Sequence, residues 1–245
     1  MKTVAVIPAR YGSTRFPGKP LAKINGVSMI ERVYRNVCTS KAIHEVWVAT
    51  DDKRIEQAVL AFGGNCLMTS DQHQTGTDRI AEAMEKLEAD LVINVQGDEP
   101  LIQGDVLDLL IQPFLREPEL QMATLKTKIK NTEDIENPNV VKVITDRNGN
   151  AIYFSRSPIP YNRDGLDVQY YKHIGVYAYR TAFLRQYVGM PRTSLELAES
   201  LEQLRAVEHG VRIRVIETDL QLLGVDTPED IKRVEEYLNK AGEAK

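Results

Sequence analysis

Cysteine is scarce in this chain. Cys38 and Cys66 are the only two, and their spacing fits neither a zinc site nor a disulfide framework. Both have apolar neighbours and are expected as small, reduced core residues. Long hydrophobic runs are missing too. Nothing approaches the roughly 18 apolar residues of a membrane span, so membrane insertion is not expected. Nor is there an excess of positive charge. Lys and Arg number 31 against 35 Asp and Glu, for a formal net charge of −4. That balance excludes the basic surface of a general nucleic-acid binder. The opening apolar run of Val4, Ala5, Val6 and Ile7 is too short for a signal sequence and ends at Pro8, so a cytoplasmic chain is expected. No internal repeat or low-complexity linker is present.

What is present is ordinary for a globular protein, with 42% hydrophobic and 27% charged residues. At 245 residues the chain can bury a sizeable core. It is read as one α/β domain, with an excursion at about 154–190 where periodicity fails and Pro158, Pro160 and Gly165 cluster. Apolar runs at 3–7, 45–50, 91–95, 122–127 and 140–145 read as strands, several of them apolar on both faces, as in a buried parallel sheet. Strands are also expected at 171–179 and 211–216. Between them lie helical patterns: Met29, Ile30, Val33, Tyr34 and Val37 after a Ser28 cap; Ile55, Ala58, Val59 and Phe62; Ile80, Ala83, Met84 and Leu87; and a helix over 195–207 with Leu197, Leu201 and Leu204 as its buried stripe. A final helix starts at Pro228 behind a Thr227 cap. The β-α-β-α order predicts a doubly wound sheet with its ligand outside the carboxyl ends of the strands.

Charge is concentrated at one place. The first thirty residues carry Lys2, Arg10, Arg15, Lys19 and Lys23 and no Asp or Glu. A basic, glycine-bearing loop between a strand and a helix suits phosphate binding, through backbone N–H groups and cationic side chains. Arg10, Arg15 and Lys19 are therefore candidates to hold a triphosphate, against the plainer reading of a solvated loop. The loop lacks the P-loop spacing. Asp98 follows the strand at 91–95 and is placed to hold Mg²⁺ in the crevice, or simply to cap the next helix. Asp226 precedes a helix that Thr227 already caps, which leaves its carboxylate available for the same metal. The segment His73 to Arg79 opens a helix and could read a nucleobase edge, or be an ordinary capped start. Arg156 is suited to bidentate carboxylate binding. His173 reads equally as a structural histidine, and Glu202 and Gln203 fall off the leucine stripe, facing solvent or a cleft.

In this order the strings IPARYGSTRFPGKPL, ATDD, HQTGTDR, NVQGDEP, PNVVKV, YFSRSPIP, KHIGVYAYR, LEQLR and GVDTPED resemble the 3-deoxy-manno-octulosonate (KDO) cytidylyltransferases over residues 7–230. The resemblance implies a Rossmann-like nucleotidyltransferase fold: a mostly parallel sheet with helices on both faces and a small β-rich excursion for the sugar site and dimerisation. It implies a homodimer that converts CTP and KDO to CMP-KDO and pyrophosphate with Mg²⁺, for lipopolysaccharide assembly, with no nucleic-acid partner. Carried over, Arg10, Arg15 and Lys19 hold the triphosphate, and Ala9, Gln74, Gly76, Thr77 and Arg79 surround the cytidine. Asp98 and Asp226 bind the metal and, with Lys19 and Arg15, form the catalytic set. Gln96, Arg156, His173, Glu202 and Gln203 contact the sugar acid. Two departures stand out: HQTGTDR where relatives often have HQSGTER, and a segment 162–171 shorter than in several relatives. The second lies beside the implied sugar site and keeps 8-amino-KDO or a nonulosonic acid open as the acceptor; a non-catalytic sugar-nucleotide sensor is the alternative of another class.

Overall fold

The computed structural model describes residues 1–12, 16–220, 223–240 and 242. In chain order the elements are β1 (Thr3–Ala9), β2 (Lys23–Ile24), β3 (Val27–Ser28), α1 (Met29–Val37), β4 (Glu45–Thr50), α2 (Lys53–Ala61), β5 (Asn65–Met68), α3 (Gly76–Ala83), β6 (Leu91–Asn94) and α4 (Gly104–Arg116). There follow β7 (Met122–Lys128), α5 (Glu133–Glu136), β8 (Lys142–Thr145), β9 (Ala151–Ser155), β10 (Tyr171–Arg180) and α6 (Thr181–Val188). The chain ends with α7 (Ser194–Glu199), α8 (Gln203–Glu208), β11 (Ile213–Glu217) and α9 (Pro228–Lys240). Two compact units form, one of Met1–Asp108 with Leu222–Lys245 and one of Leu109–Gln221.

In the first unit the strands run parallel in the order β6-β1-β4-β5. Val4, Ala5, Val6 and Ile7 of β1, and Leu91, Val92 and Ile93 of β6, are fully buried. Burial without alternation means that both faces of these strands are covered. Each of these Val, Leu and Ile side chains contributes roughly 1.5–3 kcal/mol by leaving water. The chain builds outward from β1 to β4 and β5, then returns to the other side of β1 with β6. The strand order therefore reverses beside β1, and a crevice opens there at the carboxyl ends. Helix α1 buries Met29, Ile30, Val33 and Val37, the expected face, although Ser28 makes no side-chain cap bond. Asn25 and Gly26 both have positive φ, 47° and 81°, and close the β2–β3 hairpin as a type I′ turn. The Asn25 N–H donates to Glu235 Oε1 of α9 at 2.8 Å.

The cysteines depart from expectation. Cys38 is exposed, because α1 ends at Val37 and leaves it at the C-cap. Cys66 lies half-buried on β5, where burial and the nearby Glu56 push its thiol up to about 11.

In the second unit β11 pairs parallel with β7, while β10 pairs antiparallel with β7 and β8, and β8 with β9. Phe154, His173, Tyr177, Tyr179, Tyr187 and Phe183 form a chain of ring contacts with centroids 5.0 to 5.9 Å apart. The expected helix over 195–207 is not continuous. It breaks into α7 and α8 at Ser200, whose φ is +50°. The cause is a buried ion pair. Arg205 Nε and Nη2 donate to the two carboxylate oxygens of Glu196 at 2.8 and 2.6 Å, with the residues 6% and 2% exposed. Nine residues of straight helix would hold these groups about 13 Å apart, so the turn at Ser200 is what lets them meet. Leu197 is thereby turned out to 54% exposure, not into a buried stripe. No helix among the described residues is long and apolar enough to cross a membrane.

Two expectations follow from this packing. Glu196→Ala leaves the Arg205 charge buried and unpaired, and is expected to lower the unfolding free energy by about 3 kcal/mol; an unchanged urea midpoint would contradict the ion-pair account. His173 has the opposite sensitivity to pH from a histidine whose pKa is raised by an acidic partner. Thr124 Oγ1 gives its proton to the Val176 carbonyl at 2.8 Å, so it accepts from His173 Nε2 at 3.0 Å. Burial, with the Lys172 charge adding to it, holds the imidazole at about 3 against its ordinary 6.5. The unfolded chain then binds the proton more readily, and the stability present above 6.5 is lost as pH falls towards 3. His173→Gln is expected to flatten that acid-side slope in denaturant titrations; a slope as steep as the parent's would contradict this.

Candidate active site

The crevice beside β1 is a cavity of about 430 Å³, lined by loops that follow three strands and by the start of α3. The basic loop leaves β1 at Ala9 and Arg10. It is closed by the Gly18 N–H donating to the Tyr11 carbonyl at 2.9 Å. Gly18 has φ +72°, a left-handed conformation that favours glycine. The guanidinium of Arg54 lies 3.3 Å above the Tyr11 ring centroid and braces the loop from α2. Arg10 is exposed at the rim of the cavity, and Lys19 enters it from a 3-10 turn at Lys19–Leu21. Arg15 lies outside the described residues.

Lys19 is where the site converges. Its Nζ donates to Asp98 Oδ2 at 2.6 Å and to the Val225 carbonyl at 2.9 Å, and pairs with Asp226 Oδ1 at 3.6 Å. The Val225 N–H in turn donates to the Asp98 carbonyl at 3.0 Å. Two aspartates 128 positions apart are thus brought to the Lys19 ammonium. Asp226 does not cap α9. Thr227 stands at the N-cap position as expected, and Asp230 in the first turn reaches back to it: its Oδ2 accepts from the Asp226 and Thr227 N–H groups and from Thr227 Oγ1. The donor set fits Mg²⁺: two hard carboxylates, partly exposed, with the remaining positions left to phosphate and water.

The loop from β6 carries Gln96 and Gly97 into the same cavity. A Cβ on Gly97 would come within 3.1 Å of the Pro8 carbonyl, so glycine lets the β1 and β6 loops touch. Gln96, assigned by resemblance to the sugar acid, therefore sits among the nucleotide candidates, with Nε2 donating to Asn94 Oδ1 at 3.0 Å. On the opposite wall, α3 begins with a capping box. Thr75 Oγ1 accepts from the Asp78 N–H, and Asp78 returns the bond to the Thr75 N–H. This leaves Gln74, Thr75 and Gly76 facing the cavity. Thr77 is buried and is not among the lining residues. Arg79 lines the cavity, but its guanidinium is held by Asp51 at 2.8 Å and Thr69 at 2.5 Å. Asp51, at the end of β4, was legible by the same signal as Asp98, a carboxylate just past a buried strand.

Arg156, His173, Glu202 and Gln203 all belong to the second unit. Arg156 donates to three main-chain carbonyls: Glu199 from Nε at 2.7 Å, Pro138 from Nη1 at 2.9 Å and Ser200 from Nη2 at 3.4 Å. Lys142, unremarked in the sequence, is fully buried, and its Nζ donates to the carbonyls of Asn137, Val140 and Arg156. Burial draws its pKa below the usual lysine value. Gln203 is not on a solvated face. It is 5% exposed, and its Nε2 has no hydrogen-bond partner among the described residues. The Glu202 carbonyl accepts from Tyr187 Oη at 2.7 Å. His173 is bonded to Thr124 and packed between the Phe154 and Tyr177 rings.

Comparison with known proteins shows the family and the fold. The Cytidylyltransferase family profile matches residues 4–213. A 3-deoxy-manno-octulosonate cytidylyltransferase of Trichlorobacter lovleyi is 49% identical over 98% of this chain and 100% of its own. One of Pelobacter propionicus is 51% identical over 96% of this chain and 97% of its own. A solved CMP:2-keto-3-deoxy-manno-octonic acid synthetase complexed with CTP superposes with a TM-score of 0.94 at 47% identity, covering 98% of this chain and 100% of that one. The chain belongs to the cytidylyltransferase family, among the 3-deoxy-manno-octulosonate cytidylyltransferases.

Proposed function

We propose that this chain is an enzyme that transfers the cytidylyl group of CTP to 3-deoxy-D-manno-octulosonate, giving CMP-KDO and pyrophosphate. The observation that carries the reading is the Lys19 ammonium bracketed by Asp98 and Asp226 on the wall of a nucleotide-sized cavity. The CTP complex of the 47% identical synthetase supports the choice of nucleotide, and the names of the relatives support the choice of sugar acid.

In this reading the anomeric hydroxyl oxygen of the sugar acid attacks the α-phosphorus of CTP. A phosphorus–oxygen bond to the sugar forms as the bond to the bridging oxygen of pyrophosphate breaks in line, and the hydroxyl proton passes to solvent. No covalent enzyme intermediate is needed, so positioning and charge stabilisation supply most of the rate. Lys19 neutralises charge growing on the α-phosphate and the departing pyrophosphate. Arg10 meets the triphosphate at the rim, and the start of α3 takes the cytidine. Mg²⁺ is the proposed cofactor, held by Asp98 and Asp226, and when bound it supplies further neutralisation of the triphosphate and a lower pKa for the attacking hydroxyl. Arg156 and the buried amide of Gln203 are assigned to the carboxylate and hydroxyls of the sugar acid.

A homodimer and a cytoplasmic location belong to the same reading. Tyr161 and Leu166, 85% and 66% exposed, support a partner surface on the segment 155–171.

Asp98→Asn is expected to keep the native circular dichroism while pyrophosphate release from CTP plus KDO falls roughly hundredfold or more. A folded variant with full activity would overturn the assignment.

A further inference from the structure

Arg156 is held in place by one residue more than by any other. The carboxylate of Glu199, the last residue of α7, accepts from Ser155 Oγ at 2.6 Å and from the Arg156 N–H at 2.9 Å. The Glu199 carbonyl accepts from Arg156 Nε at 2.7 Å, and the next carbonyl, Ser200, accepts from Nη2 at 3.4 Å. The left-handed turn at Ser200, φ +50°, follows directly. Among the described residues Arg156 makes no ion pair with a carboxylate, and every acceptor of its guanidinium is a neutral main-chain carbonyl. The arrangement aims the guanidinium without cancelling its charge. A carboxylate paired directly with the guanidinium would compete with an anionic ligand; here the Glu199 carboxylate is spent on the neighbouring backbone and hydroxyl instead.

We propose that Glu199 is a positioning residue for sugar-acid binding, fixing the backbone of Ser155 and Arg156 with its carboxylate and the guanidinium with its carbonyl. This rests on the reading of Arg156 as the contact for the sugar-acid carboxylate. Removal of the carboxylate frees the 155–156 backbone and blurs the aim of the guanidinium, while the CTP cavity, built from other residues, is untouched. The effect falls on one substrate.

The test is steady-state kinetics of the full chain with KDO and CTP varied separately, alongside thermal midpoints. Glu199→Ala is expected to raise KM for KDO about tenfold, with KM for CTP within about twofold. Glu199→Gln keeps an acceptor for the Arg156 N–H and a donor for Ser155 Oγ, and is expected to restore most of the loss. Ser155→Ala removes one contact from a small buried side chain, and is expected to raise KM for KDO about threefold; it carries the test if Glu199→Ala does not fold. An unchanged KM for KDO in folded Glu199→Ala, or equal rises for both substrates, overturns the proposal. Arg156→Ala separates the two layers. If it leaves KM for KDO unchanged, the sugar-acid reading of Arg156 fails. If it weakens KDO binding while Glu199→Ala does not, only the positioning role fails.

Discussion

One ammonium group ties the first unit's site together. Lys19 Nζ binds a carboxylate beyond β6, a carbonyl at Val225 and a carboxylate at Asp226, and so connects three segments far apart in sequence. Stability does not explain the cluster. Asp98 and Asp226 keep 34% and 53% of their side-chain surface in contact with solvent, and ion pairs that open contribute at most about 1 kcal/mol. What such a cluster does is hold two carboxylates close together without mutual repulsion, in a cavity rimmed by further positive charge. A site of that kind is ready to exchange one cation for another once a polyanion arrives with its own positive partners.

The fold supplies this constraint through strand order. Because β1 has β4 on one side and β6 on the other, the loops after β1 and β6 emerge next to each other. Glycine at position 97 lets them approach to contact distance of the Pro8 carbonyl. Helix α9, which reaches the β2–β3 hairpin through Glu235, fixes the chain that presents Asp226. The apolar burial of β1 and β6 is thus tied to the chemistry, since those two strands hold Lys19 and Asp98 in register.

Much of this was legible in the sequence, and for identifiable reasons. The strands β1 and β6 are near-continuous apolar runs, buried on both faces, which leaves little ambiguity in a run of that length. Asp98 and Asp226 each follow an apolar stretch, and strand ends face the crevice. What was not legible depends on contacts between distant side chains. The break at Ser200 follows from Glu196 meeting Arg205, and leucine spacing carries no sign of it. Helix α4 contains Pro113, which masks its pattern. Lys142 and Glu199 sit in unremarkable local sequence, and the carbonyls they organise have no side-chain signature. Gln203, off the leucine stripe and expected to face solvent or a cleft, is buried, because the helix that would set its face is two helices.

The account stands on Asp98 and Asp226 acting jointly towards the nucleotide and its metal. Calorimetric titration of CTP into the full chain, with and without Mg²⁺, tests this most directly when run on the parent and on Asp226→Asn. The account predicts that Mg²⁺ tightens CTP binding to the parent and that most of this gain disappears in a folded Asp226→Asn variant. An equal gain in both proteins would contradict it.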